Sequence, residues 1–160
     1  MRLDEFNRRE VAEVRAGLEK CCGSPLWADR MVSSRPFASE QELFERADEV
    51  WWSLERNEWL EAFAQHPKIG ERRADAWSAE EQSGMSKAAH ETAAAMGRLN
   101  REYEEKFDWI FIVCATGKSG DEMLALLEQR LRNDPSDELL IAAGEQAKIT
   151  RLRLQKLLTK

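Results

Sequence analysis

Apolar residues recur at steps of three to five positions along almost the whole chain, which predicts helices rather than strands. In the first stretch, residues 3–22, the apolar positions are Phe6, Val11, Val14 and Leu18. Gly23 follows this stretch and is expected to end its helix, because glycine is common just beyond a helix C-terminus. The pattern therefore opens with one long amphipathic helix.

Besides Ser78, which is considered below, four serines stand where helix N-caps are expected, since a serine hydroxyl accepts a hydrogen bond from a free N–H of the first turn. Each is followed by a segment with helical periodicity. The caps are Ser24, Ser39, Ser119 and Ser136, and the helices they predict cover 25–35, 40–57, 120–133 and 137–158.

Between the second and third of these serines, the chain is predicted to form two further helices. A short one over 58–66 should end at His66, because Pro67 disfavours helical geometry in the residue before it. A long one should restart at Ser78 and run to Phe107, since its alanine-rich middle strongly favours helix.

Residues 109–115, WIFIVCA, are the one stretch with the β-branched and aromatic character of a strand. No second strand is predicted to pair with it, so we expect a buried extended segment between helices. No linker, repeat or low-complexity tract interrupts the chain. The predicted fold is all-α: a single-domain helical bundle over 1–160, with one short extended segment near 109–115.

Composition excludes several classes of protein. The 160 residues are 42% hydrophobic and 34% charged, which is typical of a globular domain rather than a disordered or membrane chain. The longest apolar run is too short to span a bilayer, and no signal peptide is visible, so a cytoplasmic location is expected. The net charge of −6 argues against a nucleic-acid partner, because phosphate binding needs a basic surface.

The cysteines and histidines do not indicate a metal centre or a disulfide framework. Cys21 and Cys22 are adjacent, Cys114 is distant, and the chain has only two histidines. None of these residues has the spacing of a zinc site. No metal is expected.

His66 and Glu81 are the first candidates for chemistry, and each also has a purely structural interpretation. His66 lies at a predicted helix C-terminus, where the dipole favours a protonated imidazole, but it could serve only as a cap. Glu81 follows Ser78 by three residues, which is the spacing of a capping box. A glutamate oriented in this way can still face a pocket, so both interpretations stay open.

Arg153 and the extended segment could recognise a polar ligand. Arg153 is flanked by leucines on the last predicted helix, and a half-buried guanidinium suits a planar carboxylate or ureido group. The alternative is an arginine whose head extends into solvent. The extended segment should expose backbone N–H and C=O groups that have no helical partner, and such groups can form hydrogen bonds with the edge of a heterocycle.

Six motifs occur in a recognisable order: HPKIG, SAEEQSGM, LNREYEEKF, FIVCATGKS, RLRND and KITRLRL. Together they resemble the OHCU decarboxylases (2-oxo-4-hydroxy-4-carboxy-5-ureidoimidazoline decarboxylases) of urate degradation. The resemblance covers nearly the whole chain. Each motif alone is weak, and their order makes the resemblance specific.

The resemblance implies an all-α homodimer that converts the small molecule OHCU to (S)-allantoin and CO₂ without a metal or an organic cofactor. It implies that His66 and Glu81 are catalytic. The implied substrate-binding residues are Pro67, Ser78, Gln82, Arg153, and the backbone groups of Phe111 and Val113.

One alternative from another functional class stays open. A helical protein-interaction domain without catalytic activity would use the tryptophan-rich helix around Trp51 and Trp52 as an anchor, because tryptophan is enriched at interfaces. It would present a long apolar groove and would not depend on His66.

Overall fold

The computed structural model describes residues 1–66 and 87–159, and these form helices joined by short connections. The prediction of an all-α fold is confirmed. None of the helices in these two ranges is long and apolar enough to cross a membrane. The helices are α1 (Leu3–Arg8), α2 (Val11–Cys21), α3 (Pro25–Ser33), α4 (Glu40–Ser53), α5 (Arg56–Ala64), α6 (Lys87–Phe107), α7 (Gly120–Arg130) and α8 (Pro135–Leu157).

The chain divides into two compact units. The first comprises Met1–Gln65 and Gly144–Lys160, and the second comprises His66–Ala143. Helix α8 contributes its beginning to the second unit and its end to the first. That the whole chain, residues 1–160, is one domain stays a prediction.

Residues 3–22 form two helices, so the prediction of a single helix there is wrong. The chain leaves helical geometry at Arg9 and Glu10, whose ψ angles are 159° and 142°. Arg35 Nη1 donates hydrogen bonds to the carbonyl oxygens of Phe6 at 2.9 Å and Arg9 at 2.8 Å. A distant side chain therefore satisfies carbonyls at the end of α1, and periodicity does not reveal such a contact.

Three of the four predicted serine caps are confirmed, because each hydroxyl accepts a hydrogen bond from the backbone N–H three residues later: Ser24, Ser39 and Ser119. The fourth prediction, Ser136, is wrong. Helix α8 begins at Pro135, and Asp134 Oδ2 accepts a hydrogen bond from the Ser136 N–H at 3.2 Å. Aspartate is as good a cap acceptor as serine, and proline is favoured at the first helical position.

In the second unit the chain reverses direction at Asp108, directly after α6. Asp108 has a φ of 67°, a left-handed conformation that aspartate tolerates better than most residues. The segment 109–115 then runs back along α6. The ring of Trp109 stacks on Phe107, with centroids 5.4 Å apart.

The extended segment is buried, as predicted. Its side chains from 109 to 114 are at most 8% exposed, apart from the half-buried Ile110. The ring of Phe111 lies edge-on to Tyr103, one turn further back along α6, with centroids 5.3 Å apart. Helices α6 and α7 pack against each other in this unit, so the segment lies in its hydrophobic core.

Candidate functional site

His66 directly follows the C-cap of α5. The helix ends at Ala64, two residues earlier than predicted, and the Gln65 N–H donates to the Ala62 carbonyl at 3.2 Å. The His66 side chain is half-buried. His66 thus follows a well-defined helix end and is accessible enough to meet a small molecule.

Four of the predicted site residues lie outside the described residues: Pro67, Ser78, Glu81 and Gln82. Their predicted roles stay predictions.

Phe111 and Val113 lie in the buried extended segment, at 2% and 3% exposure. Their backbone N–H and C=O groups have no hydrogen-bond partner among the described residues. Buried backbone groups in folded proteins are nearly always paired. Among the described residues, these two therefore carry donors and acceptors that suit a polar ligand.

A buried ion pair lies behind this segment. Arg130 ends α7 and Glu138 lies in the first turns of α8, and they are 6% and 0% exposed. Arg130 donates to Glu138 Oε2 through Nε at 2.8 Å and through Nη2 at 2.6 Å. Its third nitrogen, Nη1, donates to the carbonyl oxygen of Ile112 at 2.7 Å. The ion pair is thus joined to the backbone of the extended segment.

Three further groups fix this pair in place. The Tyr103 hydroxyl donates to Glu138 Oε2, and Asn133 Nδ2 donates to Glu138 Oε1 at 3.0 Å. Trp109 Nε1 in turn donates to the Tyr103 hydroxyl at 3.0 Å. Burial raises the pKa of Tyr103, and the hydrogen bond to Glu138 raises it further. Tyr103 therefore stays a neutral donor.

Asn100 carries a buried donor with no partner among the described residues. Its side chain is 7% exposed, and Nδ2 makes no hydrogen bond in the described part of the chain. Asn100 lies on the same face of α6 as Tyr103, one turn earlier.

Arg153 belongs to the first unit, in the last turns of α8. It is half-buried, and Nη1 donates to the carbonyl oxygen of Lys20 in the last turn of α2 at 3.3 Å. The guanidinium is therefore not simply extended into solvent. Among the described residues this is its one hydrogen bond, which leaves most of its donors available for a ligand.

Arg153 lies near two buried thiols. Burial raises the pKa of Cys21 to about 12 and that of Cys22 to about 11, and the charge of Arg153 acts in the opposite direction on both. Both side chains are therefore neutral thiols. Residues 1–66 and 87–159 contain no group of three His, Cys, Asp or Glu side chains that could hold a metal ion.

Sequence reasoning missed the buried network around Arg130 and Glu138. The motif RLRND begins with Arg130, and Tyr103 lies in LNREYEEKF, so both residues were inside recognised motifs. Their pairing was not visible, because it depends on how α6, α7 and α8 pack. A lone tyrosine and an arginine at a predicted helix end are the only signals that the sequence offers.

The model of the OHCU decarboxylase family matches residues 7–155 of the chain. Two curated relatives are similar to the chain over most of its length. The uric acid degradation bifunctional protein TTL of Arabidopsis thaliana is 38% identical over 86% of this chain and 45% of its own length. The 2-oxo-4-hydroxy-4-carboxy-5-ureidoimidazoline decarboxylase of Amia calva is 32% identical over 88% of this chain and 83% of its own length. The chain thus spans less than half of the bifunctional relatives it matches and about four fifths of the single-function ones.

Two solved structures have the same fold. A crystal structure of OHCU decarboxylase in the presence of (S)-allantoin is 37% identical, with a TM-score of 0.76 over 89% of this chain and 96% of the other. A crystal structure of (S)-allantoin synthase is 17% identical, with a TM-score of 0.73 over 98% of this chain and 54% of the other, and shows the fold alone. Sequence and structure together show that the chain belongs to the OHCU decarboxylase family.

Proposed function

We propose that the chain is an OHCU decarboxylase that converts OHCU to (S)-allantoin and CO₂ without a cofactor. The observation that carries the proposal is its close match, in sequence and in fold, to an OHCU decarboxylase crystallised in the presence of (S)-allantoin. The backbone groups of Phe111 and Val113 add support, because they have no hydrogen-bond partner among the described residues and a heterocycle rich in N–H and C=O groups can pair with them.

The chemistry of the substrate explains why no cofactor is proposed. When the carbon–carboxylate bond breaks, CO₂ leaves and its electron pair forms a double bond to the neighbouring ring carbon. The electrons of the adjacent C=N bond move onto its nitrogen, which takes up a proton. The hydroxyl group then loses its proton while the carbon that bears the ureido group gains one. The substrate thus supplies its own electron sink, and the protein has to orient groups and transfer protons.

His66 and Glu81 are the proposed catalytic residues. His66 contacts the hydroxyl-bearing carbon and assists the loss of CO₂, and its half-buried position beyond α5 suits this role. Glu81 holds the hydroxyl group or the imidazole and relays the returning proton. Protonation from one side only produces a single enantiomer.

The remaining proposed residues bind the substrate. Arg153 binds a carboxylate or ureido group through its fork of donors, since its hydrogen bond to Lys20 leaves other N–H groups available. Phe111 and Val113 hold the ring through their backbone groups. The other proposed substrate-binding residues are Pro67, Ser78 and Gln82.

A rate measurement tests the proposal. OHCU is generated freshly and its ultraviolet absorbance is followed with and without the purified protein. We expect the protein to accelerate the decay in proportion to its concentration and without added metal or cofactor. Decay at the uncatalysed rate at every protein concentration would refute the proposed function.

The structure gives little support to the alternative function, a helical protein-interaction domain. On α4, Trp51 is 2% exposed and packs in the core of the first unit. Trp52 is 46% exposed, and its ring lies edge-on to Trp59 with centroids 5.7 Å apart. One exposed indole on this helix does not form the long apolar groove that helix binding requires.

We also propose that the protein is a homodimer in the cytoplasm. Adjacent apolar residues of α8, Leu140 and Ile141, are 56% and 41% exposed, and a second copy would shield them from water. Light scattering after size-exclusion chromatography tests the dimer, which predicts twice the chain mass of 18.5 kDa. Cell fractionation tests the location.

A further inference from the structure

We propose that Arg130, held by Glu138, is a positioning residue that aims the backbone groups of Phe111 and Val113 at the substrate. The inference rests on the proposed function, because it assumes that these groups hold the ring of OHCU. It adds a role for a buried ion pair that lies outside the proposed set of catalytic and binding residues.

Stability alone is a weak reason for such a pair. Two charges lose their hydration on burial, and well-packed apolar replacements of a buried ion pair are often neutral or stabilising. Arg130 and Glu138 are nevertheless almost fully buried. What an apolar pair could not reproduce is the hydrogen bond from Arg130 Nη1 to the carbonyl oxygen of Ile112.

That hydrogen bond determines which way the neighbouring residues face. In an extended chain the N–H and C=O of successive residues point to opposite edges. Because Arg130 binds the Ile112 carbonyl on one edge, the backbone groups of Phe111 and Val113 face the other edge. This alternation accounts for the observation that Ile112 has an internal partner, whereas its two neighbours have none among the described residues.

Arg130 is itself fixed firmly enough to act as a reference point. Glu138 accepts two of its N–H groups, and Glu138 is held by Tyr103 and Asn133. The guanidinium carbon also lies 4.5 Å from the centroid of the Phe111 ring. A planar guanidinium that is held on several sides fixes the direction of the carbonyl group that it binds.

The test separates positioning from stability. In the double variant Arg130→Met/Glu138→Met both charges are replaced by apolar side chains of similar length, so no uncompensated charge stays buried, but the donor to Ile112 is lost. The Tyr103 hydroxyl and Asn133 Nδ2 lose their acceptor, so we expect a lower thermal midpoint. For the folded variant we expect a KM for OHCU raised about tenfold or more and a smaller change in kcat. A tenfold rise in KM corresponds to about 1.4 kcal/mol, which is the order of one hydrogen bond between the substrate and a misaligned backbone group.

A matched control uses an exposed pair of the same residue types. Arg46 and Glu49 form an ion pair on α4 with side chains 49% and 65% exposed. The variant Arg46→Met/Glu49→Met should keep the wild-type KM and midpoint, because exposed pairs contribute little. If the Arg130→Met/Glu138→Met variant does not fold, Arg130→Lys is measured instead. This substitution keeps the positive charge but removes the forked guanidinium. We expect its KM to rise by a larger factor than its kcat changes.

The outcomes are distinguishable. A wild type that does not accelerate OHCU decay overturns the proposed function and this inference with it. An active, folded double variant with a wild-type KM overturns the inference alone. A wild-type KM in Arg130→Lys, when the double variant is unfolded, also overturns it.

Discussion

Gly23 and Gln65 lie so close together that a β-carbon on Gly23 would be 2.3 Å from Cγ and 2.7 Å from Cβ of Gln65. The sequence predicted Gly23 as a helix stop, but α2 already ends at Cys21, and Gly23 has no positive φ. The glycine is instead required because the end of α5 approaches it. Since Gln65 directly precedes His66, this contact constrains the start of the candidate catalytic segment.

We expect Gly23→Ala to destabilise the protein and to slow OHCU turnover. The new methyl group overlaps the rigid inner part of the Gln65 side chain, and such overpacking costs about 1–3 kcal/mol. Urea unfolding measures the free energy, and the OHCU assay measures turnover.

The control for this substitution is Gly144→Ala. Apart from the backbone of its own helix and its chain neighbours, no atom of the described residues lies within 4 Å of the position that its β-carbon would take, and Gly144 is inside α8. Alanine there should stabilise the protein by roughly 0.5–1 kcal/mol. If Gly23→Ala were as stable and as active as Gly144→Ala, the close contact would have no consequence.

Replacement of Arg153 by methionine should raise KM for OHCU by about 10- to 100-fold, because charge-assisted hydrogen bonds contribute roughly 1.5–3 kcal/mol. Arg151, two residues earlier, provides the control. It is exposed, and its guanidinium carbon lies 4.7 Å from the centroid of the Phe44 ring. Arg151→Met should leave KM unchanged, and equal KM values for the two variants would argue against a role for Arg153 in binding.

The raised pKa values of Cys21 and Cys22 predict a loss of stability at alkaline pH. Their thiols titrate near 9 in the unfolded chain but near 12 and 11 in the folded protein. Above pH 9 the unfolded state therefore binds fewer protons, and the free energy of unfolding falls as pH rises. The stabilisation is complete below pH 9 and is lost progressively towards the folded pKa values.

Urea unfolding at pH 8, 9 and 10 measures this slope. The variant Cys21→Ser/Cys22→Ser lacks both thiols and should show a smaller fall over the same range. Parallel pH profiles for the two proteins would show that these cysteines do not cause the loss.

Asn100→Leu should not destabilise the protein, even though Asn100 is buried. Its Nδ2 has no hydrogen-bond partner in the described part of the chain, and an apolar side chain of similar size removes that unsatisfied donor. We expect a free energy of unfolding equal to or above the wild-type value. A loss above about 1 kcal/mol, typical of a broken hydrogen bond, would show that the amide is paired in solution.

Local patterns in the sequence predicted the helices and three of the serine caps, because periodicity and capping act over a few residues. The division between α1 and α2 was not predictable in this way. It depends on hydrogen bonds from Arg35 to Phe6 and Arg9, which are separated from it by 29 and 26 positions.

In the candidate site too, local patterns predicted some residues, and contacts distant in sequence determined the others. Residue type and motif order identified His66, Arg153 and the extended segment. The pairing of Arg130 with Glu138 and Ile112 needed the packing of two helices against that segment, which no local pattern contains.

The handedness of the allantoin formed from OHCU is the most direct test of catalysis by His66. Spontaneous decay gives equal amounts of the two enantiomers, so the circular dichroism of the product reports catalysis at a chiral site. We expect a strong signal of (S)-allantoin with the wild type and with His90→Asn. With His66→Asn we expect turnover reduced by about 10² or more and a largely racemic product. A racemic product from the wild type, or an undiminished (S)-allantoin signal from His66→Asn, would contradict catalysis by His66.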